Sequence, residues 1–309
     1  MIFTVLFLLY NESIIPREGG ILTTKAAKIL LTLVFLSRGS AYIFSKIVLG
    51  ELSPFLAIGY RFTLACALLC LLFAKRIAMQ LQQDKSLWKN SLLLGTLLFF
   101  MMCFELTGMK TAAVHTVALL ESSSLILVPL LLSLAYRKLP TRNIILGTIL
   151  IFSGIFCLTW TPEGFAFTGG EIFALCSAFT YALYVIFTGI TARKSDAFAL
   201  GILQMGVIGV LSFAASLLFT GSIPLPQSQT TWTALIIQIL LCSCFGFTFQ
   251  PVAQRYIPSE EANLFCAIGP LFATLLGHFV FHEVLGFMGL LGTCLIVVGL
   301  VYGNRQKRR

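Results

Sequence analysis

Long apolar runs separated by short polar stretches dominate this chain of 309 residues. A helix that crosses a bilayer needs about 20 mostly apolar residues, because the hydrocarbon layer is about 30 Å thick and a helix rises about 1.5 Å per residue. Ten runs meet that length, at 29–49, 54–74, 87–107, 112–135, 143–160, 170–190, 198–219, 232–252, 259–281 and 285–302. The pattern predicts an all-α integral membrane protein with ten transmembrane helices.

Composition and charge support this prediction and orient the spans. Hydrophobic residues make up 58% of the chain and charged residues 11%, against about 45–50% and about 25% in soluble domains. The net charge of +9 lies in short basic clusters between the runs, which favours contact with a membrane surface and argues against nucleic acid as a partner. If the N-terminus lies inside, the external loops contain a single basic residue, Lys110, and the other loops contain the remaining clusters of Lys and Arg. We therefore expect a multi-pass protein of the cell (cytoplasmic) membrane with both termini cytoplasmic.

A repeated segment indicates that the chain has two similar halves. Residues 147–154 read GTILIFSG and residues 292–299 read GTCLIVVG, at an offset of 145. Each half contains five predicted spans, and because five is odd, the second copy enters the membrane from the opposite face. We therefore predict two inverted five-helix repeats, which provide a physical route to alternating access around a central site.

The repeat also sets the expected domain boundaries. We predict a first repeat at 29–160 and a second at 170–303, joined by a short connection that contains Pro162 and Gly164. Residues 1–28 are expected to form an interfacial or disordered leader, and residues 304–309 a basic cytoplasmic tail.

Short motifs in both halves resemble those of a known transporter family. They are Lys46, Ser53-Pro54-Phe55 and Tyr60-Arg61-Phe62 in the first half, and Tyr181-Ala182-Leu183-Tyr184, Pro270, Glu283, Gly292 and Gly299 in the second. Over residues 29–303 the chain resembles the EamA-type drug/metabolite transporter superfamily. The resemblance implies a ten-span secondary transporter of small metabolites, amino acids or drugs.

Three positions of the first half depart from the family pattern. Arg38 stands where the family commonly has Trp. At the offset of 145, Lys138 matches Glu283 and Leu125 matches Pro270. A changed substrate class is one interpretation of this divergence.

Five charged residues stand out inside the predicted spans: Arg38, Lys46, Arg61, Glu105 and Glu121. A charge at the bilayer centre costs about 2.5–3.5 kcal/mol on insertion scales, so each is a functional candidate. Helix rise places Arg38 and Glu121 near the midplane. An ion pair lining a polar cavity is one hypothesis for them, and a clasp between two helices or an Arg38 that faces water alone are the alternatives.

The remaining polar candidates have weaker signals. Lys46 and Glu105 are expected to lie close enough to the external surface to snorkel out to it. Arg61 lies about 10 Å below that surface by helix rise. Contact with a ligand and packing between helices are the two interpretations of this residue. Gln204 and Gln250 are candidates to line the cavity from the second half, or to join helices through hydrogen bonds.

The proline after Gln250 favours a place for Gln250 at the cavity, and burial favours a role in proton coupling for Glu121. Gln250 precedes Pro251, where a helix loses a backbone hydrogen bond, and irregular backbone inside a membrane is tolerated only where protein or water satisfies it. Glu121 is the candidate carrier of a coupling proton, because burial favours a neutral carboxyl group.

Metal, cofactor and enzyme signatures are missing from the sequence. The nine cysteines lie in apolar segments without a Cys-x-x-Cys pair and are interpreted as packing residues. His115 and His278 have no carboxylate or cysteine at ligand spacing, so no metal site is predicted. Without a phosphate-binding loop or a hydrolase motif, we predict no catalytic residue, no cofactor and no enzymatic activity.

These observations predict a secondary transporter of a small metabolite, an amino acid or related solute, with export expected, working by alternating access around a midplane cavity. The first alternative is an exchanger of the sugar-phosphate or nucleotide-sugar kind, and the second a membrane enzyme or lipid-handling accessory protein. The candidate substrate or coupling residues are Arg38, Glu121, Arg61, Gln204 and Gln250. The expected partners are the solute, the lipid bilayer and a coupling proton.

Overall fold

The computed structural model describes residues 22–112, 117, 120–159, 169–269, 271–272 and 287–303. Within these residues the chain is helical and contains no β-strand. Most of the predicted leader, nearly all of the connection between the halves and the tail lie outside the described residues. So do the candidates His115, Pro270, His278 and Glu283.

Most helices of the described chain follow the predicted spans, but the helix of the second span continues to Gln83, beyond its predicted end at 74. In chain order they are α1 (Thr24–Gly39), α2 (Ala41–Leu49), α3 (Pro54–Gln83), α4 (Ser86–Thr111), α5 (Ser124–Tyr136), α6 (Arg142–Thr159), α7 (Gly170–Thr191), α8 (Ala197–Thr220), α9 (Gln229–Ile237), a π-helix (Gln238–Phe247), α10 (Thr248–Gln254), α11 (Ser259–Leu264), a 3₁₀ turn (Phe265–Ala267) and α12 (Phe287–Gly303). The first predicted span corresponds to α1 and α2 together, and the eighth to α9, the π-helix and α10.

The lengths and surfaces of these helices suit a bilayer. Six segments of the described chain are long and apolar enough to cross a membrane, and three shorter apolar helices accompany them. Large apolar side chains face outward, such as Leu71 and Leu218, which are 81% and 83% exposed. The prediction of an all-α membrane protein is confirmed, while the fourth and ninth spans are described only in part.

Capping residues set the starts of several helices. The Thr23 hydroxyl accepts a hydrogen bond from the Ala26 N–H at the start of α1. Ser53 caps α3, whose first residue is Pro54. Such caps satisfy N–H groups that a helix start leaves free. Because Thr23 is the cap, α1 begins inside the segment predicted as a leader at 1–28.

Helices of the two halves pack in exchanged pairs. α6 packs on α12 and α3 packs on α8, which joins equivalent spans of the two halves. α4, the third span of the first half, packs on α7, the first span of the second half. Correspondingly, the π-helix and α10, in the third span of the second half, pack on α1, in the first span of the first half. A two-fold relation between the two halves produces this pattern, as expected for the predicted inverted repeats.

The repeated glycine segment forms the contact between α6 and α12. A Cβ added to Gly147 would lie 2.7 Å from the Gly303 Cα and 2.9 Å from the Gly299 carbonyl oxygen. A Cβ added to Gly154 would lie 2.7 Å from the Gly292 carbonyl oxygen. Small residues permit this close approach of two helix backbones. The segment that reveals the repeat in the sequence is therefore also a surface through which the halves meet.

Two irregular backbone segments face each other. The first span is interrupted at Ser40, whose hydroxyl donates to the Ser37 carbonyl at 2.7 Å, and the eighth span contains the ten-residue π-helix. The Ser37 hydroxyl donates to the Leu241 carbonyl at 2.8 Å, and the Gln238 amide donates to the Ala41 carbonyl at 3.1 Å. These bonds supply partners for backbone carbonyl groups that are costly to leave unpaired inside a membrane.

A side chain supplies the hydrogen-bond donor that the helix lacks at Pro251. Pro251 has no N–H, so the Phe247 carbonyl four residues earlier lacks its usual helical donor. The Gln204 Nε2 on α8 donates to this carbonyl at 3.0 Å. Gln204 thus joins α8 to the end of the π-helix.

Two ion pairs connect helices at the end of the fold predicted to face the cytoplasm. Lys28 on α1 pairs with Glu261 on α11 at 2.9 Å. Arg76 on α3 pairs with Asp196, the cap of α8, at 2.8 Å. Both pairs cross from the first half to the second.

Candidate functional site

A cavity of about 60 Å³ lies where the break in the first span meets α3, α4 and the π-helix. This volume is several times the roughly 10–15 Å³ that one water molecule requires. Apolar side chains, including Phe35, Met102, Leu106 and Phe247, supply part of its lining. Polar and charged groups supply the rest.

Four charged side chains of the first half line this cavity: Arg38, Arg61, Glu105 and Glu121. Each comes from a different one of the first four spans. Arg61, Glu105 and Glu121 are only 6%, 9% and 8% exposed. Two basic and two acidic side chains therefore share one buried site.

Arg38 is held by neutral groups of the second half. Its Nη1 donates to the Gln250 Oε1 at 2.7 Å and to the Tyr181 hydroxyl at 3.2 Å. Its guanidinium carbon lies 4.4 Å from the centre of the Phe247 ring. Close packing of Gly246 against the Arg38 side chain fixes its stem, since a Cβ at Gly246 would lie 2.9 Å from the Arg38 Cγ.

Arg61 is held in a similar way by contacts that also include Phe247. Its Nε donates to the Ser243 hydroxyl at 2.8 Å. Its guanidinium carbon lies 5.7 Å from the Phe247 ring centre and 4.9 Å from that of Phe62. Cation–π contacts of this kind stabilise a buried guanidinium, so one aromatic ring of the π-helix serves both arginines.

Glu121 and Arg38 share the cavity without a direct ion pair. Glu121 accepts a hydrogen bond from the Tyr42 hydroxyl at 3.1 Å, and Tyr42 lies one helical turn beyond Arg38. Arg38 lies within electrostatic reach of Glu121, but its hydrogen bonds go to Gln250 and Tyr181. Arg38 and Glu121 therefore line the same cavity, as the ion-pair hypothesis requires, but their side chains do not bond to each other. Gln250 and Tyr181 of the second half orient the Arg38 guanidinium instead.

The prediction that Glu105 reaches the external surface is wrong. α4 continues to Thr111, so Glu105 lies about 9 Å inside the helix end by helix rise. Its face of α4 also carries Leu98, Met101 and Met102, which are at most 5% exposed. The side chain consequently points into the protein and lines the cavity.

Comparison with known proteins identifies the family. The sequence model of the EamA-like transporter family matches the chain twice, at residues 25–160 and 168–304. The chain belongs to the EamA-like transporter family. It is a membrane transporter.

Relatives of this EamA-like transporter have similar lengths and names. Two proteins of Archaeoglobus fulgidus, each described as an uncharacterized transporter, are 26% identical to it over 286 and 299 residues. The alignments cover 88% and 94% of this chain and 95% and 90% of the relatives. The uncharacterized transporter YetK of Bacillus subtilis is 20% identical over 309 residues, covering 96% of this chain and 92% of YetK.

A solved structure shows the same fold as this EamA-like transporter. That crystal structure superposes with a TM-score of 0.77 at 17% identity, and the match covers 91% of this chain and 96% of the other. The helical arrangement described above is therefore shared with a structure determined by crystallography.

The candidate residues of this EamA-like transporter fall into two groups. Arg38, Arg61 and Glu121 line the cavity. Gln250 is fully buried behind it and binds Arg38, whereas Gln204 binds the Phe247 carbonyl and does not line the cavity.

Among the lining residues of this EamA-like transporter that sequence reasoning missed are Tyr42, Tyr181 and Phe247, each of which contacts a charged residue of the cavity. Tyr42 had a usable signal, since it follows Arg38 by one turn, and Tyr181 belongs to a motif that carries the family resemblance. Phe247 is one of 28 phenylalanines and had no distinguishing signal. No group of His, Cys, Asp or Glu among the described residues is placed to hold a metal ion.

Proposed function

We propose that this EamA-like transporter is a secondary transporter that exports a small zwitterion, an amino acid or related solute, by alternating access around the charged cavity. The observation that carries this proposal is the convergence of two arginines and two glutamates on one buried cavity.

The separation of these charges favours a zwitterionic solute. Opposite charges in a buried site gain most from direct contact, yet Arg38 and Arg61 make their hydrogen bonds to neutral partners. A ligand with a carboxylate and an ammonium group can satisfy both signs at once. The cavity thus offers both basic and acidic side chains to such a ligand.

The same charges argue against the sugar-phosphate alternative. A phosphate ester carries about two negative charges, which the two arginines could meet. The Glu105 carboxylate would then face a dianion across a buried cavity, and like charges repel strongly where the local dielectric is low. A zwitterion avoids this penalty.

The exchanged packing of the halves supports alternating access. Inverted repeats can swap conformations, so that the cavity opens first to one face and then to the other. Lys28–Glu261 and Arg76–Asp196 connect the halves at the predicted cytoplasmic end, and opening toward the cytoplasm requires at least one of them to separate. Coupling to a proton would then take place at a cavity carboxylate, with Glu121 as the candidate.

Exchange in proteoliposomes tests this function. We expect the purified protein to catalyse saturable counterflow of L-leucine and no counterflow of glucose 6-phosphate. Arg38→Ala should reduce leucine counterflow by about tenfold or more, the loss typical of a buried charged hydrogen bond. Lys46→Ala, on the same span but exposed, should match the wild type. Glucose 6-phosphate counterflow without leucine counterflow would contradict the proposal, as would the absence of both.

A further inference from the structure

Glu105 differs from the other charged residues of the cavity in its bonding. It lines the cavity at 9% exposure and lies within electrostatic reach of Arg38 and Arg61. No group in the described part of the chain donates a hydrogen bond to its carboxylate. Glu121, in contrast, accepts a hydrogen bond from Tyr42. Because a buried carboxylate without a donor is costly, Glu105 has an acceptor capacity that suits a bound ligand.

We infer that Glu105 is the specificity-determining residue that receives the ammonium group of the solute, while Arg38 and Arg61 receive its carboxylate. The assignment rests on the proposed function, since it concerns the same cavity.

The arginines retain donors for a carboxylate. Arg38 donates through Nη1 and Arg61 through Nε, so each guanidinium keeps further N–H groups. A guanidinium has five N–H donors in a planar fork, which matches a carboxylate in geometry. Gln250 and Ser243, which do not line the cavity, act on the solute by positioning these arginines.

The second half offers no equivalent of Glu105. At the offset of 145 that relates the repeated segments, Glu105 corresponds to Gln250 and Glu121 to Cys266. Gln250 already accepts from Arg38, and Cys266 already pairs with Tyr181 at 3.2 Å. The protein therefore supplies its own hydrogen-bond partners at these two positions, and among the described residues both carboxylates that line the cavity come from the first half. Of the two, only Glu105 lacks a hydrogen-bond donor in the described part of the chain, and this fixes one orientation of the solute.

Three probes of matched structure distinguish binding of the ammonium group of the solute from binding of its carboxylate. L-leucine carries both charges, 3-methylbutylamine carries only the ammonium group, and 4-methylpentanoate carries only the carboxylate. Their shared apolar part suits the Phe35, Met102 and Leu106 lining. Binding of each probe to the full-length protein in detergent is measured by titration calorimetry.

The decisive variant is Glu105→Gln, compared with Glu260→Gln, which changes a carboxylate of α11 that does not line the cavity. We expect Glu105→Gln to weaken L-leucine binding by about tenfold or more, as for other charged hydrogen bonds, and to leave 4-methylpentanoate binding unchanged. Glu260→Gln should keep the wild-type preference for L-leucine over 4-methylpentanoate. Glu105→Asp should restore part of that preference, which shows that charge and not folding is responsible.

Three results would overturn the assignment. The first is unchanged L-leucine affinity in Glu105→Gln. The second is an equal loss of L-leucine and 4-methylpentanoate binding in that variant with no recovery in Glu105→Asp. The third is normal L-leucine affinity with loss of transport driven by a pH gradient, which would make Glu105 a proton carrier.

Failure of the proposed function gives a different result. In that case the wild-type protein binds none of the three probes and transports no amino acid. If the wild type binds L-leucine and Glu105→Gln binds it equally well, the proposed function stands and only the role of Glu105 is rejected.

Discussion

A single aromatic ring organises the charged residues of the cavity. Phe247 lies at the end of the π-helix, with the Arg38 guanidinium 4.4 Å and the Arg61 guanidinium 5.7 Å from its ring centre. The ring thereby holds two like charges near each other without an acid bonded to either. A guanidinium suits this arrangement better than an ammonium group, because its planar face stacks while its edge donates hydrogen bonds.

Arg38→Lys tests the importance of that geometry at the residue scale. Lysine keeps the charge but cannot stack on Phe247 and also bond Gln250 and Tyr181 as Arg38 does. We expect L-leucine to raise the melting temperature of the wild type and to raise that of Arg38→Lys much less at the same concentration. An equal shift in both proteins would show that charge alone is required.

Glu51 provides a pH test at the opposite end of the molecule from the two ion pairs. Hydrogen bonds from the Thr231 side chain and from the Gln227 and Ser228 backbone hold the pKa of Glu51 below its ordinary value. A group with a lowered folded-state pKa stabilises the fold above its unfolded pKa, and this contribution is lost as the pH falls through the folded pKa.

The melting temperature of the wild type should therefore decrease more steeply than that of Glu51→Gln on acidification below about pH 5, the range in which a carboxyl begins to titrate. Near neutral pH the wild type should be the more stable of the two. Parallel pH profiles for the two proteins would contradict this role of Glu51.

At the scale of elements, the π-helix is tied to its neighbours by specific polar bonds. Its Leu241 carbonyl accepts from Ser37, and its last carbonyl, at Phe247, accepts from Gln204. π-helices are rare and occur frequently at functional sites. Here the element places Ser243, Gly246 and Phe247 against the two arginines.

A double-mutant cycle tests the link between Gln204 and Pro251. Gln204→Leu should cost about 1–3 kcal/mol of stability, because the Phe247 carbonyl loses its donor. Pro251→Ala supplies a backbone N–H for that carbonyl, so Gln204→Leu should cost clearly less in the Pro251→Ala background. Thermal or denaturant unfolding in detergent gives the coupling. Strictly additive effects would show that the two residues act independently.

The contact between α6 and α12 tests the role of the repeated glycines. Gly154→Ala places a Cβ 2.7 Å from the Gly292 carbonyl oxygen, which forces two backbones apart and should cost roughly 1–3 kcal/mol, as overpacking does. Ser153→Ala changes the neighbouring, exposed position and serves as the control. If both variants unfold at the same temperature, the halves do not depend on this close approach.

At the scale of the whole molecule, the sequence predicts the helices better than the cavity. The bilayer demands apolar helices of a certain length, so predicted spans such as 143–160 match observed helices such as Arg142–Thr159 within a residue. Depth along a span also follows from counting residues, which identified Arg38, Arg61 and Glu121. Depth misleads where the end of a span is misplaced: the span predicted to end at 107 continues to Thr111, so Glu105 lies inside the protein and not at the surface.

Local sequence patterns do not predict the hydrogen-bond partners of the charged residues. Arg38 bonds residues 143 and 212 positions away along the chain, and Arg61 bonds one 182 positions away. These contacts arise only when the second half packs against the first. The offset of 145 between halves relates Glu105 to Gln250, but their different bonding follows from the folded structure.

Labelling of Cys266 from each side of the membrane tests most directly whether a solute passes through this cavity. Cys266 lines the cavity and is retained while the other cysteines are replaced. A membrane-impermeant thiosulfonate is then applied to vesicles of either orientation, with and without L-leucine. A second protein that carries Lys46→Cys as its single cysteine, at an exposed position near the predicted external end of the first span, serves as the control. Alternating access predicts that Cys266 is labelled from both faces and that L-leucine slows both reactions without affecting external labelling of the Lys46→Cys protein. Labelling of Cys266 from one face only, or labelling that L-leucine does not slow, would contradict the account.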